Sequence, residues 1–324
     1  MSLVLALALY AAAASFIGGT AWRVWTWAAT PEPFQIPTTS AQQRSLSGIA
    51  PSRVESPSTT LGVIGRMFLE GFLFRSLFRN TAPGRTPAGA DVCPDPIFLE
   101  RKALWLGAMA FHWSLLVIVV RHLRLFVEPV PRIAGVLASV DGFFQIGSPT
   151  WYATDATVVV ALGYLLLRRL RDPLLRYISL PADYLAVGTL LAVAGTGIAV
   201  RYIARTDLVA VRHFTLSLAA LAPSAAPPLD TWLVLHLLSV SFLLAILPFT
   251  KMIHAAGMWL SPTRNQRNDS RRRRHVNPWN APAPIHSYEE WEDEFRDKLL
   301  AAGMPVERNA LRVEGPGSDG AAEA

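Results

Sequence analysis

The sequence predicts an all-α membrane protein, built as a five-transmembrane-helix bundle, and three observations lead to this fold class. First, 52% of the 324 residues are hydrophobic and only 17% are charged, a balance typical of proteins that cross a membrane several times. Second, the apolar residues form long blocks, whereas a soluble core would spread them at amphipathic spacing. Third, arginines gather beside these blocks, so membrane orientation explains the net charge of +6 better than a nucleic-acid surface does.

Five segments are predicted to span the membrane. They cover residues 3–22, 104–120, 154–167, 184–200 and 231–249, the last extending to residue 260. The third is the weakest, because it carries Asp155 and needs Trp151 and Tyr152 as interfacial anchors to reach the ~20 residues that a bilayer requires. The first has no basic region before its apolar run, which favours a retained helix over a cleaved signal peptide.

The distribution of lysine and arginine predicts which side of the membrane each loop faces. If the N-terminus lies outside, the two inner loops and the C-terminal tail contain 24 of the 30 Lys and Arg residues, and the two outer loops contain six. Cytoplasmic loops carry such an excess of cations. We therefore predict an outer N-terminus, five crossings and a cytoplasmic C-terminus.

Four regions follow from this topology. Residues 1–29 form the first transmembrane helix, 30–103 a cytoplasmic loop, 104–260 a four-helix membrane region and 261–324 a cytoplasmic tail. Within the loop, residues 61–81 mix phenylalanine with arginine, which predicts an amphipathic helix in the headgroup plane or against a partner, with a short buried helix as the alternative. The tail contains a basic run, SPTRNQRNDSRRRRH, and then an acidic amphipathic helix. A single cysteine, Cys93, can form no internal disulfide and cannot alone hold an iron–sulfur cluster.

The histidines carry the strongest chemical signal. Four of the seven lie in two apolar segments, namely His112, His122, His236 and His254, and ionisable residues at membrane depth are rare and usually functional. In one continuous helix, the spacing of eighteen residues between His236 and His254 is about five turns, which places both rings on one face about 27 Å apart. The spacing of ten between His112 and His122 corresponds to about 15 Å and a rotation of roughly 80°.

The predicted topology makes these two segments antiparallel, so His112 lies level with His254 and His122 with His236. A neutral imidazole from each side suits the axial positions of a six-coordinate haem iron, an arrangement for electron transfer. We therefore expect two haems b whose iron is the metal bound by the four histidines. Interhelical hydrogen bonding or proton relay is the alternative, and zinc is disfavoured because no three or four ligands share one level.

Charged residues near the outer ends of the segments are candidates for a second role. Arg121, Arg124 and Arg201 are predicted contacts of haem propionates or of a quinone oxygen, with simple snorkelling to the interface as the alternative. Asp155 is a candidate acceptor for a quinol proton, with helix capping or pairing to an arginine as the alternative.

The histidine spacings resemble those of the gamma (cytochrome b) subunit of respiratory nitrate reductases, which has five helices and two haems b. From about Trp22 to Glu307 the chain more closely resembles the DsrM family, the haem b membrane subunits of complexes associated with dissimilatory sulfite reductase. The strings that carry this resemblance are TLGVIGRMFLEGFLFRSLFRNT, AFHWSLLVIVVRHLRLFVEPVP, VDGFFQIGSPTWYATD, RYISLPADY, WLSPTRNQRN and HVNPWNAPAPIHSYEEWEDEF.

The resemblance implies an electron-transfer subunit in a prokaryotic cytoplasmic (inner) membrane. Electrons would pass between a menaquinol-type quinone near the outer face and a cytoplasmic iron–sulfur subunit that resembles heterodisulfide reductase and acts on a small sulfur-carrier protein. On this mapping His122 and His236 hold the outer haem and His112 and His254 the inner one, while the basic run and acidic helix of the tail dock the partner. A nitrate reductase gamma subunit or a related quinol-linked complex is the first alternative, and a haem-free transporter or anchor is the second.

Overall fold

The computed structural model describes residues 2–30, 52–83, 98–100, 102–145, 149–223, 230–261, 264–268 and 286–307. These residues are mostly helical. The α-helices are α1 Ser2–Ala29, α2 Thr60–Leu73, α3 Arg75–Phe78, α4 Lys102–Phe126, α5 Arg132–Asp141, α6 Ala153–Arg171, α7 Pro173–Ile178, α8 Pro181–Ile198, α9 Leu208–Ala219, α10 Thr231–Ile246, α11 His254–Trp259 and α12 Tyr288–Ala301. Two short antiparallel strand pairs join β1 Thr81–Pro83 to β2 Phe98–Glu100, and β3 Gly142–Phe144 to β4 Trp151–Tyr152.

Four helical segments in the described residues are long and apolar enough to cross a membrane. They are Leu3–Ala29, Lys102–Phe126, Pro181–Ala204 and Thr231–Phe249, and they confirm the predicted spans 3–22, 104–120, 184–200 and 231–249 as apolar helices. The predicted third span, 154–167, is also helical and belongs to α6, but Asp155 lies within the span and Arg168 and Arg169 follow it in the same helix. These charges shorten its apolar run, so its crossing of the membrane remains a prediction.

Helix α6 packs between α4 and α8. Phe111 of α4 and Val158, Ala161 and Leu162 of α6 form a buried apolar cluster, which partly buried residues of α8 extend. Gly107 of α4 allows the closest approach, because a Cβ atom there would lie 2.6 Å from the ring of Tyr164. On the other side of α8 lies α10, and α1 packs against α10.

The last predicted span is not the continuous helix to residue 260 that the sequence analysis assumed. Helix α10 ends at Ile246, and 3-10 turns at Leu247–Phe249 and Lys251–Ile253 precede α11, which begins at His254. The prediction that His236 and His254 lie on one face of one helix is therefore wrong. Pro248 is the physical reason, because it lacks a backbone N–H and its ring clashes with the preceding helical turn.

Helix α1 stabilises this break by supplying donors to the interrupted backbone. The Ser15 hydroxyl donates to the carbonyl of Ala245 (3.2 Å), and Nε of Arg23 donates to that of Pro248 (3.2 Å). Gly19 allows the contact, because a Cβ atom there would lie 2.8 Å from Cβ of Pro248. Irregular backbone at membrane depth needs such partners from neighbouring helices.

The described part of the 30–103 loop confirms a helix within residues 61–81. Thr59 caps α2, its side chain accepting from the backbone N–H of Gly62, and Phe74, in the left-handed conformation at φ 49°, joins α2 to α3. Glu55 precedes α2 and pairs with Arg75 (2.5 Å) and Arg79 (2.9 Å). The hydrogen bond from Arg75 and the charges of both arginines hold the pKa of Glu55 below its ordinary value.

The chain divides into two compact units, Met1–His275 and Val276–Ala324. In the second unit the predicted acidic helix is present as α12. It begins with a capping box in which the Ser287 hydroxyl accepts from the N–H of Glu290 and the Glu290 carboxylate accepts from the N–H of Ser287. Most of the basic run SPTRNQRNDSRRRRH lies outside the described residues.

Candidate functional site

His112 of α4 and His254 at the start of α11 form the first histidine pair. Their ring centroids are 6.0 Å apart and their planes cross at 84°. Because bonds between imidazole nitrogen and a first-row metal are about 2.0 Å long, two rings that ligate one ion from opposite sides have centroids about 6 Å apart. The spacing of this pair therefore fits two axial ligands of one iron.

Hydrogen bonds also orient three of the rings for ligation. The Nδ1 atoms of His112, His122 and His254 lie 2.8, 2.7 and 2.9 Å from backbone carbonyl oxygens of their own helical segments. A carbonyl oxygen can only accept, so Nδ1 carries the proton and Nε2 keeps its lone pair. A ring that donates from its second nitrogen to a carbonyl is the usual arrangement for a metal-ligating histidine.

Helix α8 supplies the corresponding partner for His236. Nδ1 of His236 lies 3.1 Å from the hydroxyl oxygen of Thr196. The Thr196 hydroxyl donates its own proton to the carbonyl of Ala192, 2.6 Å away, so its oxygen accepts from His236. Gly197 leaves room for the ring, because a Cβ atom there would lie 3.0 Å from Cε1 of His236.

His122 of α4 and His236 of α10 are the predicted second histidine pair, and each ring has its own hydrogen-bond partner at Nδ1. Within the residues that the structure describes, no three His, Cys, Asp or Glu side chains converge as a metal site. Each pair thus offers two nitrogens, the number that axial ligation of haem iron uses.

An ion cluster lies one residue before His122 in α4. Arg121, whose side chain is 6% exposed, pairs with Asp141 at 2.9 Å and with Asp155 at 2.8 Å. The Tyr202 hydroxyl donates to the second oxygen of Asp155 at 2.7 Å. The guanidinium of Arg121 lies 3.8 Å from the centroid of the Tyr152 ring, a distance that favours a cation–π contact.

The structure thus gives the predicted charged candidates different surroundings. Arg121 and Asp155 are each other's partners, and Arg201 donates to the carbonyl of Thr150 at 2.8 Å and lies over the Tyr152 ring. Arg124 makes no hydrogen bond or ion pair with another described residue. Nε and Nη1 of Arg121 are buried and make no hydrogen bond to the described residues, although Nη1 lies 2.9 Å from the Asp141 carboxylate. Nε therefore has neither a hydrogen-bond acceptor nor an ion-pair partner among these residues.

Sequence reasoning missed several residues that position the candidates. Tyr202 lies in a π-helical turn, Ala199–Ala204, that follows α8, and Asp141 ends α5. Asp141 also accepts from the backbone N–H and hydroxyl of Thr154, at 2.9 and 2.6 Å. Asp141 and Tyr202 are far in sequence from Arg121 and Asp155, so no local pattern predicts these contacts. An acidic residue at a helix end is also too common to indicate an ion pair.

A second cluster fixes the segment that carries His254. The Asp183 carboxylate accepts from Nζ of Lys251 at 2.9 Å and from the backbone N–H of Leu180 at 3.0 Å, and Arg169 lies 3.4 Å away. The carbonyl of the same Lys251 accepts from Nδ1 of His254. This cluster therefore ties the ends of α6 and α8 to the turn that orients His254.

Comparisons with known proteins place these features in a family. Residues 96–267, which include all four histidines, match the nitrate reductase gamma subunit family. The chain is 40% identical over 285 residues to a protein of Archaeoglobus profundus described as an Hdr-like menaquinol oxidoreductase cytochrome b-like subunit, covering 85% of this chain and 83% of that one. A protein of Archaeoglobus fulgidus with the same description is 38% identical over 310 residues, covering 92% and 85%. The chain therefore belongs to the nitrate reductase gamma subunit family and to the family of these cytochrome b-like subunits.

Proposed function

We propose that this protein is a diheme cytochrome b that passes electrons between membrane menaquinol and a cytoplasmic iron–sulfur subunit. The observation that carries the proposal is the first histidine pair, His112 and His254, whose ring spacing of 6.0 Å fits one iron. The description of the two relatives as subunits of menaquinol oxidoreductases supports quinol as the electron donor.

The four histidines are assigned to two haems. His112 and His254 would hold one iron, and His122 and His236 the other. Each haem, when bound, supplies a one-electron carrier without an open coordination position. The protein would keep Nε2 of each ring unprotonated and directed at the iron. The backbone carbonyls and Thr196 would do this by accepting a hydrogen bond from Nδ1.

The topology proposed for this function has five crossings, with α6 as the third. Its support is the position of α6 between α4 and α8 together with the loop charges, of which 24 of 30 Lys and Arg fall on the proposed cytoplasmic side. The second histidine pair then lies toward the outer face, and the first pair toward the cytoplasm.

The ion cluster around Arg121 is the proposed quinol site. Asp155 would accept a proton from quinol, while Arg121 holds this carboxylate in place and Tyr202 orients it by donating to its second oxygen. Nε of Arg121, with Arg124 and Arg201, would meet a quinone oxygen or a haem propionate. Quinol would then release its protons at the outer face and pass its electrons to the haem of His122 and His236 from the same site.

The partner is proposed on the cytoplasmic side, beside the first histidine pair. The description "Hdr-like" of the relatives supports an iron–sulfur subunit that resembles heterodisulfide reductase. We assign the complex to sulfur metabolism of the DsrM type, acting through a small sulfur-carrier protein, on the resemblance of the loop and tail strings. A nitrate reductase gamma role is the second candidate, favoured by the match of residues 96–267. The soluble subunit that co-purifies with the chain discriminates between the two.

The haem content of the purified protein tests the proposal. A dithionite-reduced minus oxidised spectrum is expected to show a b-type alpha band, with two haems per chain by pyridine haemochrome. Replacing His122 by alanine should remove one haem and leave the other, whereas His213→Ala, an exposed position in α9, should leave both. A colourless protein would point instead to a transporter or anchor, and loss of both haems or of neither in the His122 variant would contradict the pairing.

A further inference from the structure

Helix α2 buries its charged residues together with Val63 and Met67, and it exposes a separate apolar stripe. Arg66 and Glu70 are 8% and 5% exposed, whereas Leu61, Ile64 and Phe68 are 81%, 59% and 55% exposed. A helix on the surface of a soluble protein turns its apolar stripe inward instead. The stripe formed by Leu61, Ile64 and Phe68 therefore needs an apolar neighbour beyond the described residues of this chain.

The inward charges of Glu70 and Arg66 have polar or charged neighbours within the protein. The Glu70 carboxylate accepts from the backbone N–H of Ser76 at 3.0 Å and from its hydroxyl at 2.6 Å. Arg66 lies near enough to Glu55 and Glu70 for their opposite charges to attract it. A buried charge costs less free energy when opposite charges lie beside it.

The C-terminal end of α2 is held against a membrane span. The carbonyls of Phe72 and Leu73 accept from the indole N–H groups of Trp113 (3.0 Å) and Trp105 (2.9 Å). The span α4 begins at Lys102. Trp105 lies three residues and Trp113 eleven residues beyond it, at about 5 and 16 Å along the helix axis. The last carbonyls of a helix have no intrahelical partner, and inside a bilayer only protein donors can satisfy them.

After α2 the chain turns at Phe74 and returns toward the start of the span. Nζ of Lys102 donates to the carbonyl of Phe78 at 2.8 Å and lies 3.5 Å from the centroid of its ring. The Phe78 ring also contacts that of Trp105, with centroids 5.0 Å apart. We name Thr60–Phe78 the elbow, because it runs to the depth of Trp113 and back to Lys102.

We propose that the elbow is a re-entrant element embedded in the leaflet where α4 begins, with its exposed stripe against lipid acyl chains. Lipid is the occupant for two reasons. The stripe adjoins the apolar exterior of α4, where Leu106, Trp113 and Leu116 are exposed. In addition, indole N–H groups take the place of water at the last carbonyls of α2. This depth differs from that of a helix floating in the headgroup plane. The proposal rests on the membrane spans and not on the haems.

Spin labels in the full chain, reconstituted in lipid nanodiscs, test this depth. In a Cys93→Ser background, single cysteines replace Ile64 or Phe68, with Leu116→Cys as the membrane reference and Arg53→Cys as the aqueous one. Each label is exposed to oxygen, which concentrates in lipid, and to a water-soluble nickel chelate. We expect the oxygen-to-nickel collision ratio at positions 64 and 68 to match that of Leu116 and to exceed that of Arg53 several-fold.

Two results would overturn the proposal. A collision ratio at positions 64 and 68 equal to that of Arg53 would place the stripe in water. Low collision rates with both reagents would show that protein covers it, whether a second copy of the chain or another subunit. If either variant is unstable, Leu61→Cys replaces it, because that side chain is the most exposed of the stripe and its loss removes little packing.

Discussion

Hydrogen bonds at Nδ1 orient each of the four histidines. Three of them donate from Nδ1 to carbonyls of their own segment, but His236 depends on Thr196, a residue of another helix. The Thr196 hydroxyl donates its own proton to the carbonyl of Ala192, so its oxygen can accept a hydrogen bond from His236. Thr196 is therefore the one side-chain hydroxyl in this described set that orients a candidate ligand.

Replacing Thr196 by valine should alter one haem and leave the other. Valine has nearly the same shape but cannot accept the Nδ1 proton, so the imidazole becomes a weaker donor to iron and the reduction potential of its haem rises. A redox titration of the alpha band is expected to show one of two midpoint potentials shifted upward by some tens of millivolts. Thr189→Val is the matched control, because that hydroxyl bonds only to the carbonyl of Leu185 in its own helix. Two unshifted potentials in the Thr196 variant would contradict this role.

Gly197 and Gly195 provide a second test on the same helix. An alanine Cβ at position 197 would lie 3.0 Å from Cε1 of His236, whereas nothing lies within 4 Å of one at position 195. Both changes remove a glycine from a helix, so their effects on helix propensity are matched. We expect Gly197→Ala to lower haem content to about one per chain, on a displaced His236, while Gly195→Ala keeps two. Equal haem content in both variants would show that the ring adjusts without cost.

Whole elements are held by ion clusters at both ends of the helices. Arg121 joins α4 to the end of α5 and the start of α6, and Asp183 joins α8 to the turn before His254. Buried charges are stable when paired, but removal of one partner leaves an unpaired charge and costs several kcal/mol. Substitutions in these clusters must therefore keep the shape of the side chain.

Asp155→Asn keeps that shape and removes the proposed proton acceptor. Arg121 retains Asp141, so the helices should stay assembled and haem content should be unchanged. General base catalysis contributes roughly 100-fold or more, and we expect haem reduction by a menaquinol analogue to slow by about that factor in stopped-flow measurements. Asp172→Asn, at the cap of α7 and outside the cluster, should react at the wild-type rate. A normal rate with intact haems in the Asp155 variant would remove this residue from the quinol site.

The attachment of α3 should weaken in acid. The pKa of Glu55 is lowered in the folded chain by the hydrogen bond from Arg75 and by the nearby arginine charges. A lowered folded pKa means that this stabilisation is present above the unfolded value, about 4.3, and is lost as the pH falls through the folded value. The melting temperature of the wild type should exceed that of Glu55→Gln near pH 7, and the difference should shrink as the pH falls below the unfolded pKa and vanish below the folded pKa. A difference that persists in acid would assign the effect to shape instead of charge.

At the scale of the molecule, the number of crossings decides where the two termini lie. Four spans put both termini on one side of the membrane, and a fifth span, α6, puts them on opposite sides. A C-terminal green fluorescent protein fusion is expected to fluoresce in the cytoplasm, and an alkaline phosphatase fusion at the N-terminus is expected to be active outside. Activity of only one of the two reporters would place both termini on the same side of the membrane and exclude α6 as a span.

Much of this fold was predictable because the transfer of apolar residues into lipid is a property of local composition. The four spans were identified from apolar blocks, and the helices at 61–81 and in the tail from amphipathic patterns. The weakness of the third span was also visible, since Asp155 and the arginines lie in α6 itself. The break after Ile246 is not predicted by apolar content, because the residues on both sides of Pro248 are as apolar as a continuous span.

The candidate site, like the fold, has features that local sequence predicts and features that depend on tertiary packing. The sequence by itself determined that four histidines lie in apolar helices, because residue type and spacing suffice for that. Only the tertiary structure decided that His254 meets His112 across a broken helix, that Thr196 and Gly197 position His236, and that Arg121 pairs with Asp141 and Asp155. These contacts join residues 34 or more apart in sequence, except the 20 between Arg121 and Asp141, and depend on how helices pack. No local pattern encodes that packing.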